Sequence, residues 1–255
     1  MNDSLKNLSP LDGRYQNKTE KSRELFSEFA LRKQRISVET QWLNYFLTNF
    51  KPELLTEKIE EKINTLHTTV PNSLIERVKE IENTTNHDVK AVEIAVAEQF
   101  EESEEIQSLV HIFLTSEDIN SLSYALMLKE AHPMLLDWIE NIIQALEDLA
   151  EKNKEVAMLA RTHGQPASPT TLGKELNVFV TRLKKEKRSL SDKKFYAKWG
   201  GATANFNPHL LAYPEEDWIK HSKEFLSNFG VRLTKVATQI EPHDYMADLF
   251  QNIQR

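Results

Sequence analysis

PMLLDWIENIIQALEDL, residues 133–149, decides the fold class. Its apolar positions Leu135, Ile139, Ile142, Leu146 and Leu149 step by four, three, four and three. That spacing draws one stripe along an α-helix, as in the seam of a helical bundle. Upstream, Thr115-Ser116-Glu117-Asp118 has the form of a capping box that opens a helix through Ile119, Leu122 and Leu126. Downstream, Ser168-Pro169 reads as an N-cap followed by proline at the first helical position. Leu172, Leu176, Phe179, Leu183 and Leu190 then share one face. Prolines divide the rest, with long unbroken stretches from Pro10 to Pro52, Pro71 to Pro133, Pro133 to Pro166 and Pro169 to Pro208. The expected fold is mainly α. Only residues 230–239, GVRLTKVATQ, alternate loosely enough for a short strand or extended loop.

Composition narrows the class. The chain has 255 residues, 40% of them hydrophobic, which is enough for a sizeable core in one or two domains. Six glycines and nine prolines are about half of average usage, against collagen-like, linker-like and turn-rich β readings. Without cysteine there is no disulfide framework, thiolate metal site or cysteine nucleophile. No apolar run approaches a membrane span, and the polar start is unlike a signal peptide, so a cytoplasmic protein is expected. A net charge of −7 argues against nucleic acid or an anionic membrane as partner, yet leaves room for a small anionic ligand. The runs at 101–105 (EESEE) and 184–188 (KKEKR) read as solvated faces, the first also as a possible change of domain. Tyr245, Met246, Leu249, Phe250 and Ile253 form an amphipathic stripe with no cap behind it, as at a frayed end or inside a longer helix.

Five polar motifs break the periodicity: SPLDGRY (9–15), TTNHD (84–88), TSED (115–118), RTHGQ (161–165) and QIEPHD (239–244). Two of the six glycines, Gly13 and Gly164, lie inside them, suggesting special backbone geometry or close approach to a ligand. None of the eight histidines pairs as HxxxH, so no metal site is expected. His67, His132 and His221 read as ordinary surface or core residues. His87 and His163 sit among small hydrogen-bonding side chains at helix boundaries, where a group titrating near ~6.5 suits proton transfer. Ser116 and Ser168 lack a nucleophile-elbow context and read as caps. Gly200-Gly201 hints at a tight turn.

Together the motifs TTNHDVKAVE (84–93), TSEDIN (115–120), RTHGQPASPTTLGKE (161–175) and QIEPHDY (239–245) resemble the adenylosuccinate lyases, in their longer bacterial form. These belong to the fumarase/argininosuccinate lyase superfamily, and the likeness runs from Ser9 to about Phe250. The resemblance implies a cofactor-free elimination of fumarate from adenylosuccinate, giving AMP, and from the succinyl-carboxamide ribotide of purine biosynthesis. It implies that His163 is the general acid protonating the leaving nitrogen. Asn86, His87 and Asp88 would contact substrate, His87 near its phosphate. Arg14 and Tyr15 would hold the nucleotide; Thr115 and Ser116 would bind the succinyl carboxylates, with Gln239 nearby. It also implies a helical N-terminal domain over 1–110, the first part of a long helical-bundle domain over 111–255, and a homotetramer with shared active sites.

Two departures stand out. The family's serine-base loop is expected beyond residue 255, so this stretch alone is expected to be inactive. Ala204 stands where relatives often keep a further glycine. Two other readings stay open: a non-catalytic helical association module, or another fumarate-releasing lyase.

Overall fold

The capping box at 115–118 opens the longest element. In the structure, a computed structural model that describes residues 7–255, helix α7 runs unbroken from Ser116 to Lys152. The carboxylate of Asp118 accepts from the backbone N–H of Thr115 at 2.8 Å, which is the reach-back half of a capping box. Pro133 lies inside this helix, so the division expected there does not occur. Pro133 is exposed, and the turn whose hydrogen bond it cannot complete faces water rather than core.

Ten more α-helices precede and follow among the described residues: α1 (Glu20–Phe26), α2 (Glu28–Phe50), α3 (Glu57–Thr68), α4 (Asn72–Thr85), α5 (Asp88–Ala97), α6 (Glu104–Leu109), α8 (Leu172–Ser191), α9 (Asn207–Ala212), α10 (Trp218–Asn228) and α11 (Asp244–Gln254). Side-chain caps explain several starts. Ser27, Thr56 and Ser103 accept from the third residue of α2, α3 and α6, and Asp217 does the same for α10. The acidic run at 101–105 places Glu104 and Glu105 in the first turn of α6, at the positive end of its dipole.

The chain divides into two units. The first comprises residues up to Leu128 together with 195–242. Its core is built on α2, where Ile36, Leu43, Phe46 and Leu47 are fully buried. Ile63, Ala91, Val92, Ile119 and Leu122 supply the facing sides from α3, α5 and α7. Trp42 packs edge-on against Trp199 and Phe225, with ring centroids 5.4 and 5.2 Å apart. The strand signal at 230–239 is realised only as β4 (Arg232–Leu233), parallel to β3 (Tyr196–Ala197).

The second unit comprises 129–194 and 243–255. It holds the one large correction to the sequence reading. Residues 157–171 form an antiparallel hairpin, β1 (Ala157–Thr162) and β2 (Gln165–Thr171). Ser168-Pro169 therefore lies in a strand, and the N-cap of α8 is Thr171, whose hydroxyl accepts from Lys174 N–H at 3.2 Å. A two-stranded ribbon has two edges, so Pro166 and Pro169 cost it no ladder bond that a third strand would need. Gly173 then meets the end of α7 closely. A Cβ there would stand 2.4 Å from the carbonyl oxygen of Ala150, a contact that only glycine avoids. The basic run at 184–188 is a solvated face, as expected, with Lys187 on Glu140 at 2.6 Å and Lys184 on Glu147. Of the expected seam, Leu135, Ile139 and Leu146 are half-buried and Ile142 and Leu149 about half exposed, while the buried positions of this stretch, Ile143 and Ala150, lie one residue further along.

Candidate functional site

Asn86, His87 and Asp88 form the corner between α4 and α5. Asn86 takes a left-handed conformation (φ 51°) as the C-cap of α4, a role asparagine fills well. His87 is the N-cap of α5, and its Nδ1 accepts from Lys90 N–H at 3.2 Å. A ring nitrogen that accepts carries no hydrogen, so in neutral His87 the proton sits on Nε2. The side chain is half exposed and open to a ligand. Asp88 opens α5 and accepts from Val89 N–H at 2.8 Å. Burial raises its carboxyl, but the Arg35 guanidinium 2.7 Å away, the Val89 N–H and His87 together hold it below the usual carboxylate range.

Arg35 lies outside the five polar motifs. It lies in α2, is 5% exposed, and donates from Nε to Asn120 Oδ1 at 2.9 Å while its Nη2 pairs with Asp88. One guanidinium thus ties the first turn of α5 to the TSEDIN motif of α7. Its signal was present: Arg32, Arg35 and Glu39 step by three and four, and Arg35 falls on the same face as Leu31, Val38 and Trp42.

The TSEDIN motif is itself anchored. Asp118 and Lys198 are both fully buried and pair at 2.8 Å, and Gly200 and Gly201 donate to the same carboxylate at 2.9 and 3.2 Å. Desolvation pushes the Asp118 carboxyl up, against the pull of Lys198 and the backbone donors. Ser121 bonds the backbone of Lys198 in both directions at 3.2 Å. Thr115 and Ser116 are half-buried at the N-terminus of α7, where hydroxyls and a helix dipole suit a carboxylate. Just before them, His111 Nδ1 lies 2.6 Å from Glu39 Oε1. Desolvation lowers the His111 ring, but Glu39, Glu93 and Asp118 outweigh it and hold the ring above its ordinary value. Glu241 of QIEPHDY donates its N–H to Glu117 at 3.3 Å, while Gln239 is exposed in a bend two residues earlier. Three motifs of the first unit, 84–88, 115–120 and 239–241, are therefore physically linked.

Arg14 and Tyr15 are exposed and pair with each other, the guanidinium carbon 5.4 Å from the ring centroid. His163 belongs to the second unit. It forms the tip of the β1–β2 hairpin with Gly164, both at positive φ (49° and 79°) between the paired residues Thr162 and Gln165. Positive φ at both central residues is the signature of a type I′ turn, which leaves the His163 side chain exposed at the tip. His67 and His132 have structural partners in Ser37 and the Leu190 carbonyl, and His221 lies between Tyr45 and Glu216. Among the described residues no group of three His, Cys, Asp or Glu is arranged to hold a metal ion. No described helix is long and apolar enough to cross a membrane.

His209 is a different case. It is fully buried among Phe113, Phe206 and Trp218, with neither ring nitrogen hydrogen-bonded. Burial, helped by nearby Lys198, lowers it to about 4. Between the unfolded value of ~6.5 and that folded value, only the unfolded chain binds the proton, so stability falls as pH falls. Over that window His209 is expected to remove about 3 kcal/mol. Denaturation at stepped pH should show this slope in the parent and lose it in His209→Leu. An unchanged slope would contradict the assignment.

A family model described as lyase matches residues 13–255. The chain belongs to the lyase family. Within it, the chain is 44% identical over 255 residues to the adenylosuccinate lyase of Legionella pneumophila strain Corby, covering 97% of this chain and 56% of that protein. It is 42% identical to the adenylosuccinate lyase of Haemophilus influenzae and 40% identical to that of Escherichia coli K12, covering 99% of this chain and 57% of each relative. The chain thus spans somewhat over half the length of these curated relatives. Among solved structures it is similar to a fumarate lyase from Mesorhizobium sp. BNC1 (TM-score 0.75, 18% identity, 92% of this chain and 53% of that one). It is also similar to a β-carboxy-cis,cis-muconate cycloisomerase from Acinetobacter (TM-score 0.73, 16% identity, 92% and 53%). At those identities the structures speak for the fold, and they bear out the mainly helical reading.

Proposed function

We propose that the complete protein eliminates fumarate from adenylosuccinate to give AMP, and from the succinyl-carboxamide ribotide, in purine biosynthesis. The observation that carries this reading is 40–44% identity to adenylosuccinate lyases over nearly the whole chain. The elimination must remove a weakly acidic proton beside a carboxylate and expel a poor nitrogen leaving group. In this reading His163 protonates the leaving nitrogen as general acid, a contribution of roughly 10²–10⁴-fold. Thr115 and Ser116 hold the succinyl carboxylates, and the N-terminal dipole of α7 favours the negative charge that builds there in the transition state. Asn86, His87 and Asp88 contact the substrate, His87 beside the phosphate, while Arg14 and Tyr15 hold the nucleotide and Gln239 lies close by. Residues 1–110 form the first domain and 111–255 open the bundle domain of a cytoplasmic homotetramer with shared sites.

The complete protein, offered adenylosuccinate, argininosuccinate and aspartate in a spectrophotometric assay, is expected to release fumarate from the first alone. Fumarate from one of the others, and none from adenylosuccinate, would move the protein to a different branch of the family.

A further inference from the structure

Helix α2 carries three buried or nearly buried charged side chains on one stripe, and each pairs with a different segment. Arg32 pairs with Glu82 at the end of α4 at 2.9 Å, and Glu39 pairs with His111 in the loop before α7. Arg35 differs from both, because its two partners lie in two different motifs, Asp88 of 84–88 and Asn120 of 115–120. The fork geometry matters here. Nη2 and Nε present donors in fixed, separate directions, so one planar group sets the spacing between two acceptors, which a point-like ammonium does not do.

We propose that Arg35 is a positioning residue for the lyase site, holding the His87–Asp88 corner and the Thr115–Ser116 helix start in one register. The proposal rests on the lyase reading above. Its path is short on both sides. Toward α5, Asp88 Oδ2 takes the guanidinium while Oδ1 takes Val89 N–H, and the next N–H, that of Lys90, fixes the His87 ring through Nδ1. Toward α7, Asn120 stands one helical turn beyond Ser116, so holding its amide holds the first turn that presents the two hydroxyls. Arg35 touches neither hydroxyl nor imidazole; it acts through Asp88 and Asn120.

The test uses the complete protein and two readouts. Arg35→Lys keeps the charge and loses the fork. It should lower kcat/KM for adenylosuccinate at least about tenfold, within the range for misplaced catalytic groups. It should also raise amide exchange in peptides spanning 84–92 and 114–122, measured by mass spectrometry. Arg32→Lys, one turn away on the same helix, should leave kcat/KM of the folded enzyme within about twofold, because its partners Glu28 and Glu82 lie in none of the site motifs.

A merely structural Arg35 would lower the fraction of folded enzyme and leave kcat and KM per folded molecule unchanged. A positioning Arg35 lowers kcat in enzyme that denaturation shows to be fully folded. If Arg35→Lys does not fold, Asn120→Leu replaces it, and its signature is faster exchange at 84–92, across the bridge from the substitution. Near-parental kcat/KM in Arg35→Lys, a loss of activity accounted for by the unfolded fraction, or unchanged exchange at 84–92 in Asn120→Leu each overturn the proposal. If the parent releases no fumarate from adenylosuccinate, the lyase reading fails by itself, and the exchange measurements still decide whether the bridge holds the two segments.

Discussion

His163→Gln is expected to lower turnover of the complete protein by at least about a hundredfold, the lower end of what a general acid contributes. The effect should fall on kcat, because the proton is transferred in the transition state rather than on binding. The hairpin geometry supplies a control. His163 occupies a left-handed backbone position, which asparagine tolerates better than glutamine does. His163→Asn therefore keeps the turn and removes the proton donor, and it should lose as much activity as His163→Gln. Near-normal turnover in both variants would return His163 to a purely structural role at the tip of the hairpin. Low turnover in the glutamine variant alone would point to turn strain instead of lost acid.

The largest expected effect on stability comes from Lys198→Met. Methionine fills a similar volume but leaves the Asp118 carboxylate fully buried with only backbone partners. Removing one partner of a buried pair costs about 3–5 kcal/mol, because the remaining charge is neither solvated nor neutralised. The variant should show this loss in equilibrium denaturation near neutral pH. The sign of its pH dependence follows. Without Lys198 the folded Asp118 carboxyl rises further above its unfolded value, so folding is favoured below the unfolded value and that benefit is lost as pH rises. The deficit against the parent should therefore shrink as pH falls toward 4, a window set by the ordinary carboxylate value of ~3.9 and the upward direction of the shift. A loss under about 1 kcal/mol would mean that water or a rearranged backbone replaces the lysine.

The mainly helical class was legible in the sequence because a helix announces itself locally. Leu135, Ile139, Ile142, Leu146 and Leu149 need no partner to show a 3.6-residue period, and Thr115 to Asp118 carries its own capping chemistry. The five motifs were legible for the opposite reason: they ignore that period. Two errors share one cause. Pro133 and Ser168-Pro169 were read by their local meaning, as a breaker and a helix start. In the structure Pro133 sits on an exposed helix face and Pro169 pairs across a hairpin with Leu159. Proline restricts its own φ in either setting, and only the neighbours say which setting applies.

What the sequence determined by itself is thus whatever a window of a few residues can encode: the periodic faces, the caps, and the identity of the polar motifs. Tertiary structure alone decided which buried charges belong together. Lys198 stands in the apolar run FYAKWGG and Arg35 in the apolar stripe of α2, and neither names its partner. Asp118 is 80 positions from Lys198, and Asn120 is 85 positions from Arg35. A buried charge is tolerated only when an opposite or hydrogen-bonding group meets it, and chain folding, not adjacency, brings that group to it.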